Sequence, residues 1–122
     1  MSASDREAIR RTAARAALGV PGVIALQPAL AERLALAASR VHEAAAPATR
    51  GAHEGAGVRC ELAPTGEWHL EVRCIVDGHH RVVDVARQVR ADVRAAVGAC
   101  RTQPGAVPPL TIRVVVSVTR TV

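Results

Sequence analysis

Residues 57–78 read GVRCELAPTGEWHLEVRCIVDG, and two runs of strict apolar/polar alternation on either side of a short turn make this the stretch that decides the fold. Val58, Cys60 and Leu62 share one face of the first run while Arg59 and Glu61 share the other, the pattern of a half-buried strand. Trp68, Leu70, Val72 and Cys74 repeat it in the second run, against His69, Glu71 and Arg73. Every inward residue is even-numbered, so an antiparallel pairing that buries both faces together must join even with even. A two-residue Thr65-Gly66 turn would join even with odd and is excluded. A three-residue loop of Thr65, Gly66 and Glu67, or a slightly longer one, keeps the faces matched and lets Gly66 take positive φ. Trp68 then opens the second strand at the rim of the core.

Downstream, Val82, Val85, Ala86, Val89, Val93, Ala96 and Val97 recur at helical spacing and predict an amphipathic helix lying on a sheet. Its opposite face carries Arg81, Asp84, Arg87, Arg90 and Arg94, and Gly98 is expected to stop it. Residues 101–109, with their prolines and glycine, form the crossover to a last strand, Leu110 to Val118. There Leu110, Ile112, Val114, Val116 and Val118 point inward, with Thr111, Arg113, Val115, Ser117 and Thr119 outward. Upstream, Ser4-Asp5-Arg6-Glu7 matches the capping box S-x-x-E and starts a helix expected to run to about Leu18 and to close at Gly19 in the left-handed conformation. Ile9, Ala13, Ala16 and Ala17 make a small-residue stripe on that helix, suited to close packing on a sheet or on another subunit, with packing in the core favoured. Pro21 and Gly22 then force a turn. Ala29 to Ala46 is built of helix formers, with Leu30, Leu34 and Val41 at helical spacing, and Pro47 ends it. Residues 48–57, rich in Gly and Ala, read as a mobile loop.

The 122 residues suit a single domain, 1–122, divided into an N-terminal helical part (1–47), the loop (48–57) and a ββαβ core (58–122). All 16 basic residues are Arg and Ala is abundant, as GC-rich codon usage produces, so the number of arginines by itself says little. The net charge of +5 is nevertheless real electrostatics. Beyond Asp92 there is no acid but there are four arginines, Arg94, Arg101, Arg113 and Arg120, so one end of the fold is expected to be positive. Such a surface suits nucleic acid, anionic lipid or an acidic partner; the plain alternative is a solvated surface. Arg6, Arg10, Arg11 and Arg15 precede an uncharged run from Ala16 to Ala31, superficially like a signal peptide. Gly19, Pro21, Gly22, Gln27 and Pro28 break that run, and Asp5 and Glu7 spoil its basic flank. The expected location is cytoplasmic, without a membrane span of its own.

Catalytic chemistry has no signature here: G-x-S-x-G, a Gly-rich phosphate loop, H-E-x-x-H and C-x-x-C are all missing. No enzyme activity, cofactor or metal is expected. Cys60 and Cys74 share an inward face as diagonal neighbours about 7–8 Å apart in the registers allowed above, which suits buried free thiols better than a disulfide or a closed zinc site. Cys100, just past Gly98, is expected to be exposed. His79 and His80 stand beside Asp77 at the corner between hairpin and helix, where a pH-sensing role competes with a solvated loop; the loop reading is favoured, because adjacent residues point in different directions. His42, His53 and His69 are isolated.

Val20-Pro21-Gly22-Val23 after an N-terminal helix, the hairpin from Val58 to Asp77, the Val82-Val83-Asp84-Val85-Ala86 helix start and the closing strand together resemble, in order and over nearly the whole chain, the alkaline shock protein family of bacterial envelope stress-response proteins. The resemblance implies a small non-enzymatic α+β domain, cytoplasmic, able to self-associate, and often held at the inner face of the membrane by a separate anchoring protein. The expected fold is a small antiparallel or mixed sheet, the hairpin plus the C-terminal strand, packed by an amphipathic helix with an N-terminal helical segment beside it. The expected function is a scaffold of envelope stress response or homeostasis acting through protein partners, with Arg87, Arg90, Arg94 and Arg113 as candidate partner-binding residues. The alternative is a KH-like nucleic-acid-binding module, disfavoured because Gly98-Ala99-Cys100-Arg101 lacks the second Gly of the G-x-x-G clamp and the chain has one Trp and no Phe or Tyr to stack on bases.

Overall fold

The computed structural model describes residues 3–28, 34, 56–101 and 111–122. Its elements run α1 (Ala3–Leu18), β1 (Val23–Leu26), β2 (Val58–Leu62), β3 (Trp68–Val76), α2 (Val82–Arg101) and β4 (Ile112–Thr121). The Ser4 side chain of the capping box, the helix expected over Ala29–Ala46 apart from Leu34, residues 48–55 of the loop, and Leu110 lie outside the described residues.

β3 is the centre of a mixed four-stranded sheet. Its first half pairs antiparallel with β2, Val58 opposite Val72 and Leu62 opposite Trp68; its last residues pair antiparallel with β1, Leu26 opposite Cys74. Along its other side β4 runs parallel, from Trp68 opposite Ile112 to Val76 opposite Thr121. A parallel neighbour needs a crossover, and α2 supplies it. β1 and β2 therefore lie end to end on one edge, pointing the same way, and they meet at Arg73. The Gln27 N–H donates to the Arg73 carbonyl at 2.8 Å, and the Arg73 N–H donates to the Gly57 carbonyl at 2.9 Å. Gly57 enters this seam at φ 91°, with no room for a side chain: a Cβ there would stand 2.6 Å from the Leu26 Cβ.

β3 alternates strictly, its even residues buried and its odd residues half exposed. The buried face receives both helices. α2 contributes Val85, Val89, Val93 and Val97, and α1 contributes Ile9, Ala13, Ala14 and Ala17, all 4% exposed or less. Small alanines let α1 lie close against α2 and the sheet, so the small-residue stripe is spent inside the domain and does not offer a surface to another copy. Arg10 fastens α1 to the sheet, its Nε donating to the Val58 carbonyl at 3.0 Å. The other face of the sheet carries charge in pairs two residues apart: Arg59 Nη2 to Glu61 Oε1 at 2.9 Å, His69 Nε2 to Glu67 Oε1 at 2.7 Å, and Arg73 Nη1 to Glu71 Oε1 at 3.4 Å. Exposed pairs of this kind contribute about 0–1 kcal/mol each and keep the face wet.

The α+β class, the hairpin faces and the valine stripe agree with the sequence reading; several details differ. The hairpin loop is Pro64-Thr65-Gly66, one residue earlier than expected, closed by Gly66 N–H to Ala63 O at 2.9 Å and Ala63 N–H to Glu67 O at 2.8 Å. The even-to-even rule holds and Gly66 takes φ 88°, but the shift puts Cys60 opposite Leu70, so Cys74 is farther away than a diagonal neighbour. It also leaves Leu62 at the exposed hairpin end while Trp68, expected at the rim, is 1% exposed. Gly98 does not stop α2, which continues to Arg101: the intrinsic cost of glycine in a helix is only about 1 kcal/mol, too little to unwind a packed helix. Gly19 ends α1 without a left-handed residue, its N–H shared between Arg15 O and Ala16 O at 3.2 Å each in a tightened last turn. β1 was not foreseen; four residues are too few to show a period.

Candidate functional site

A turn of 100° per residue sorts the side chains of α2 into three stripes. Val85, Val89, Val93 and Val97 face the sheet. One flank holds the acids: Asp84 lies 3.9 Å from Arg81 Nε, and Asp92 Oδ1 accepts from Gln88 Nε2 at 2.7 Å. The other flank, toward β4, holds Val83, Arg87, Arg90 and Arg94. Charge is therefore segregated across a single helix, with its acids turned away from β4.

Among the described residues β4 is an edge strand, paired with β3 on one side only. Between that edge and the first turns of α2 runs a groove of about 450 Å³. Val82, Ala86, Val114 and Val116 form its floor, and the exposed side chains of Val83 (58%) and Val115 (46%) stand on its two banks. Arg87 and Arg90 reach into it from the helix and Arg113 from the strand, and among the described residues no carboxylate lines it. Of the four arginines singled out from the sequence, three converge there. Arg94 is exposed on the same flank one turn further on and does not line the groove. None of the four makes an ion pair or side-chain hydrogen bond among the described residues, in contrast to the paired arginines of the open sheet face.

Such an arrangement is suited to holding anionic groups. Guanidinium groups stay charged at every physiological pH and hold carboxylates or phosphates in a bidentate fork. Among the described residues no three of His, Cys, Asp and Glu stand close enough to share a metal ion. The Asp77 carboxylate accepts from the His79 backbone N–H at 2.9 Å and shapes the turn, while both His79 and His80 are exposed. Cys60 and Cys74 are buried and free, and burial raises the Cys74 thiol pKa; Cys100 is exposed on α2. The free edge of β4 was invisible to sequence reasoning, because which strand lies outermost depends on pairing between distant segments. Comparison with known proteins gives no matching family model, no curated relative and no solved structure of significant similarity.

Proposed function

We propose that this chain is a non-catalytic scaffold of cell-envelope stress response or homeostasis that self-associates and works through protein partners. The observation that carries the reading is the groove between α2 and β4, where three arginines with no counter-ion among the described residues surround exposed valines. A partner that is acidic and partly apolar covers such a surface; a small substrate finds nothing there to react with. The succession of short motifs that resembles the alkaline shock proteins supplies the envelope setting. Recruitment to the inner face of the membrane through an anchoring protein belongs to the same proposal, since no helix among the described residues is long and apolar enough to cross a bilayer. Self-association draws on Leu18 and Ile24, 51% and 52% exposed near the junction of α1 and β1.

Nucleic acid is the second reading, favoured by the same unpaired arginines on a strand–helix–strand unit. Against it, Trp68 is fully enclosed in the core and offers no platform for base stacking. Sedimentation and binding measurements on the purified full chain separate the two. The scaffold reading expects a species larger than a monomer, no affinity for neutral vesicles, and weak RNA or DNA binding that falls steeply between low and physiological salt. A salt-resistant, sequence-selective nucleic-acid complex, lost when Arg87, Arg90 and Arg94 are replaced, would sink it.

A further inference from the structure

The free edge of β4 and the arginine groove are parts of one surface. Thr111 turns its carbonyl to the Trp68 N–H at 2.9 Å, and the parallel ladder then alternates, so odd residues of β4 face β3. Ile112, Val114 and Val116 turn their N–H and C=O groups the other way, toward the groove, where no described residue meets them. We propose that an extended acidic segment of a partner protein adds to this edge as a fifth strand. Its backbone would bond to Ile112, Val114 and Val116, its carboxylates would lie on Arg87, Arg90 and Arg113, and its apolar side chains would cover Val83 and Val115. The proposal rests on the protein-docking reading above and names the chemistry of the partner.

Three observations select this occupant. The first is backbone geometry: strand addition supplies affinity through main-chain bonds and specificity through alternate side chains, and each bank of the groove offers both valine and arginine to the residues that face it. On the helix side, Val83, Arg87 and Arg90 meet every second residue; on the open side, Arg113 and Val115 meet the residues between. Charge is the second. Pairing two copies of β4 edge to edge would bring both Arg113 side chains and both Arg87/Arg90 pairs together, and like charges across a strand pair oppose it. Third, the chain's own long excursion, residues 28–56, leaves and rejoins the sheet at the opposite edge, where β1 meets β2. An acidic strand from another protein, with carboxylate and apolar side chains on both of its faces, satisfies all three.

The test uses the purified full chain and the synthetic peptide acetyl-Glu-Glu-Val-Val-Glu-Glu-Val-amide, which carries carboxylate and apolar side chains on both faces of an extended strand, with two versions N-methylated on one or the other alternate set of amides. The proposal expects saturable binding of the parent peptide and slowed hydrogen exchange at the Ile112, Val114 and Val116 amides. One N-methylated version should bind at least tenfold more weakly and the other about as well as the parent. Arg90→Glu with Arg113→Glu should weaken binding at least tenfold, and Val116→Pro, which removes one outward N–H, severalfold. No saturable binding, equal loss with both methylated peptides, or protection confined to other residues overturns the proposal. So does concentration-dependent protection of the same three amides without peptide, which would assign the edge to a second copy. A uridine oligonucleotide that displaces the peptide and protects those amides would overturn it in favour of nucleic acid. Crosslinking of the wild-type chain to proteins in a cell extract separates the levels: partners retained equally by the Arg90→Glu/Arg113→Glu variant remove the groove but keep the scaffold, while nucleic acid alone removes both.

Discussion

Gly57 and Gly66 have nearly the same backbone conformation, φ 91° and 88°, and very different surroundings, which makes them a matched pair for measuring what the β1–β2 seam contributes. Alanine at Gly66 meets nothing within 4 Å and carries only the conformational cost of a positive φ, about 1–2 kcal/mol. Alanine at Gly57 carries the same cost and a collision as well. Its Cβ would stand 2.6 Å from the Leu26 Cβ and 3.2 Å from the Gln27 nitrogen, well inside the contact distance of about 3.5–4.0 Å between carbons. Both neighbours belong to the strand edge, so the seam must open by about 1 Å, straining the two bonds that Arg73 makes across it. Overpacking at a well-packed site costs about 1–3 kcal/mol and a weakened backbone hydrogen bond about 0.5–1.5 kcal/mol. Gly57→Ala should therefore lose about 3–5 kcal/mol, a large share of the about 5–15 kcal/mol that holds an ordinary domain together, and about 2–3 kcal/mol more than Gly66→Ala. Urea unfolding of both variants, followed by circular dichroism, reads the difference directly. Equal losses would mean that the two edge strands do not abut at Arg73.

Two further outcomes follow from burial. Val72 is 0% exposed in the middle of β3, so Val72→Asp should remove several kcal/mol and leave little folded protein, whereas Arg113→Ser on the open face should change stability by less than about 0.5 kcal/mol; comparable urea midpoints for both would refute the assignment of sheet faces. Among the thiols, Cys100 alone should react quickly with a thiol reagent in the native state. Because burial raises the Cys74 pKa above the ordinary 9.0, the folded and unfolded chains are both protonated below that value and Cys74 takes nothing from stability there. Above it the unfolded thiol ionises first, so stability should fall as pH rises from about 9 through the folded value; Cys74→Ala should flatten that decline, and an identical slope in the variant would contradict it.

The parts of the fold that the sequence announces are those whose pattern repeats locally. The even-numbered apolar residues of β2 and β3 and the every-fourth valine of α2 each return the same face over several turns or residue pairs, so their packing can be read without knowing their partners. β1 could not be read that way, because Val23–Leu26 is held by Cys74–Val76 at the far end of another strand. The loop offset of one residue has a similar origin: parity limits the pairing to alternate registers, and Pro64 at the start of a tight turn chooses among them. Gly98 misled because a local signal met a helix already held by Val93 and Val97. Arg87, Arg90 and Arg113 were recognisable as unbalanced charge, but their convergence rests on the parallel placement of β4 beside β3, and Arg94 shares their flank without sharing their groove.

The seam at Arg73 also brings two strand ends that are distant in sequence into one register. Gln27 and Gly57 both stand opposite Arg73, Leu26 stands opposite Cys74, and Val58 stands opposite Val72. Splicing Val58 directly after Gln27 would fuse β1 and β2 into one unbroken strand in which every residue keeps its partner, its face and its direction, while removing the strained Gly57. The spliced chain should unfold cooperatively in urea, and loss of that transition would show the excised residues to be part of the core. By this geometry Gln27 and Val58 bound the two halves of one interrupted edge strand, a joint at which the chain can be closed with every described pairing kept, on the edge opposite the arginine groove.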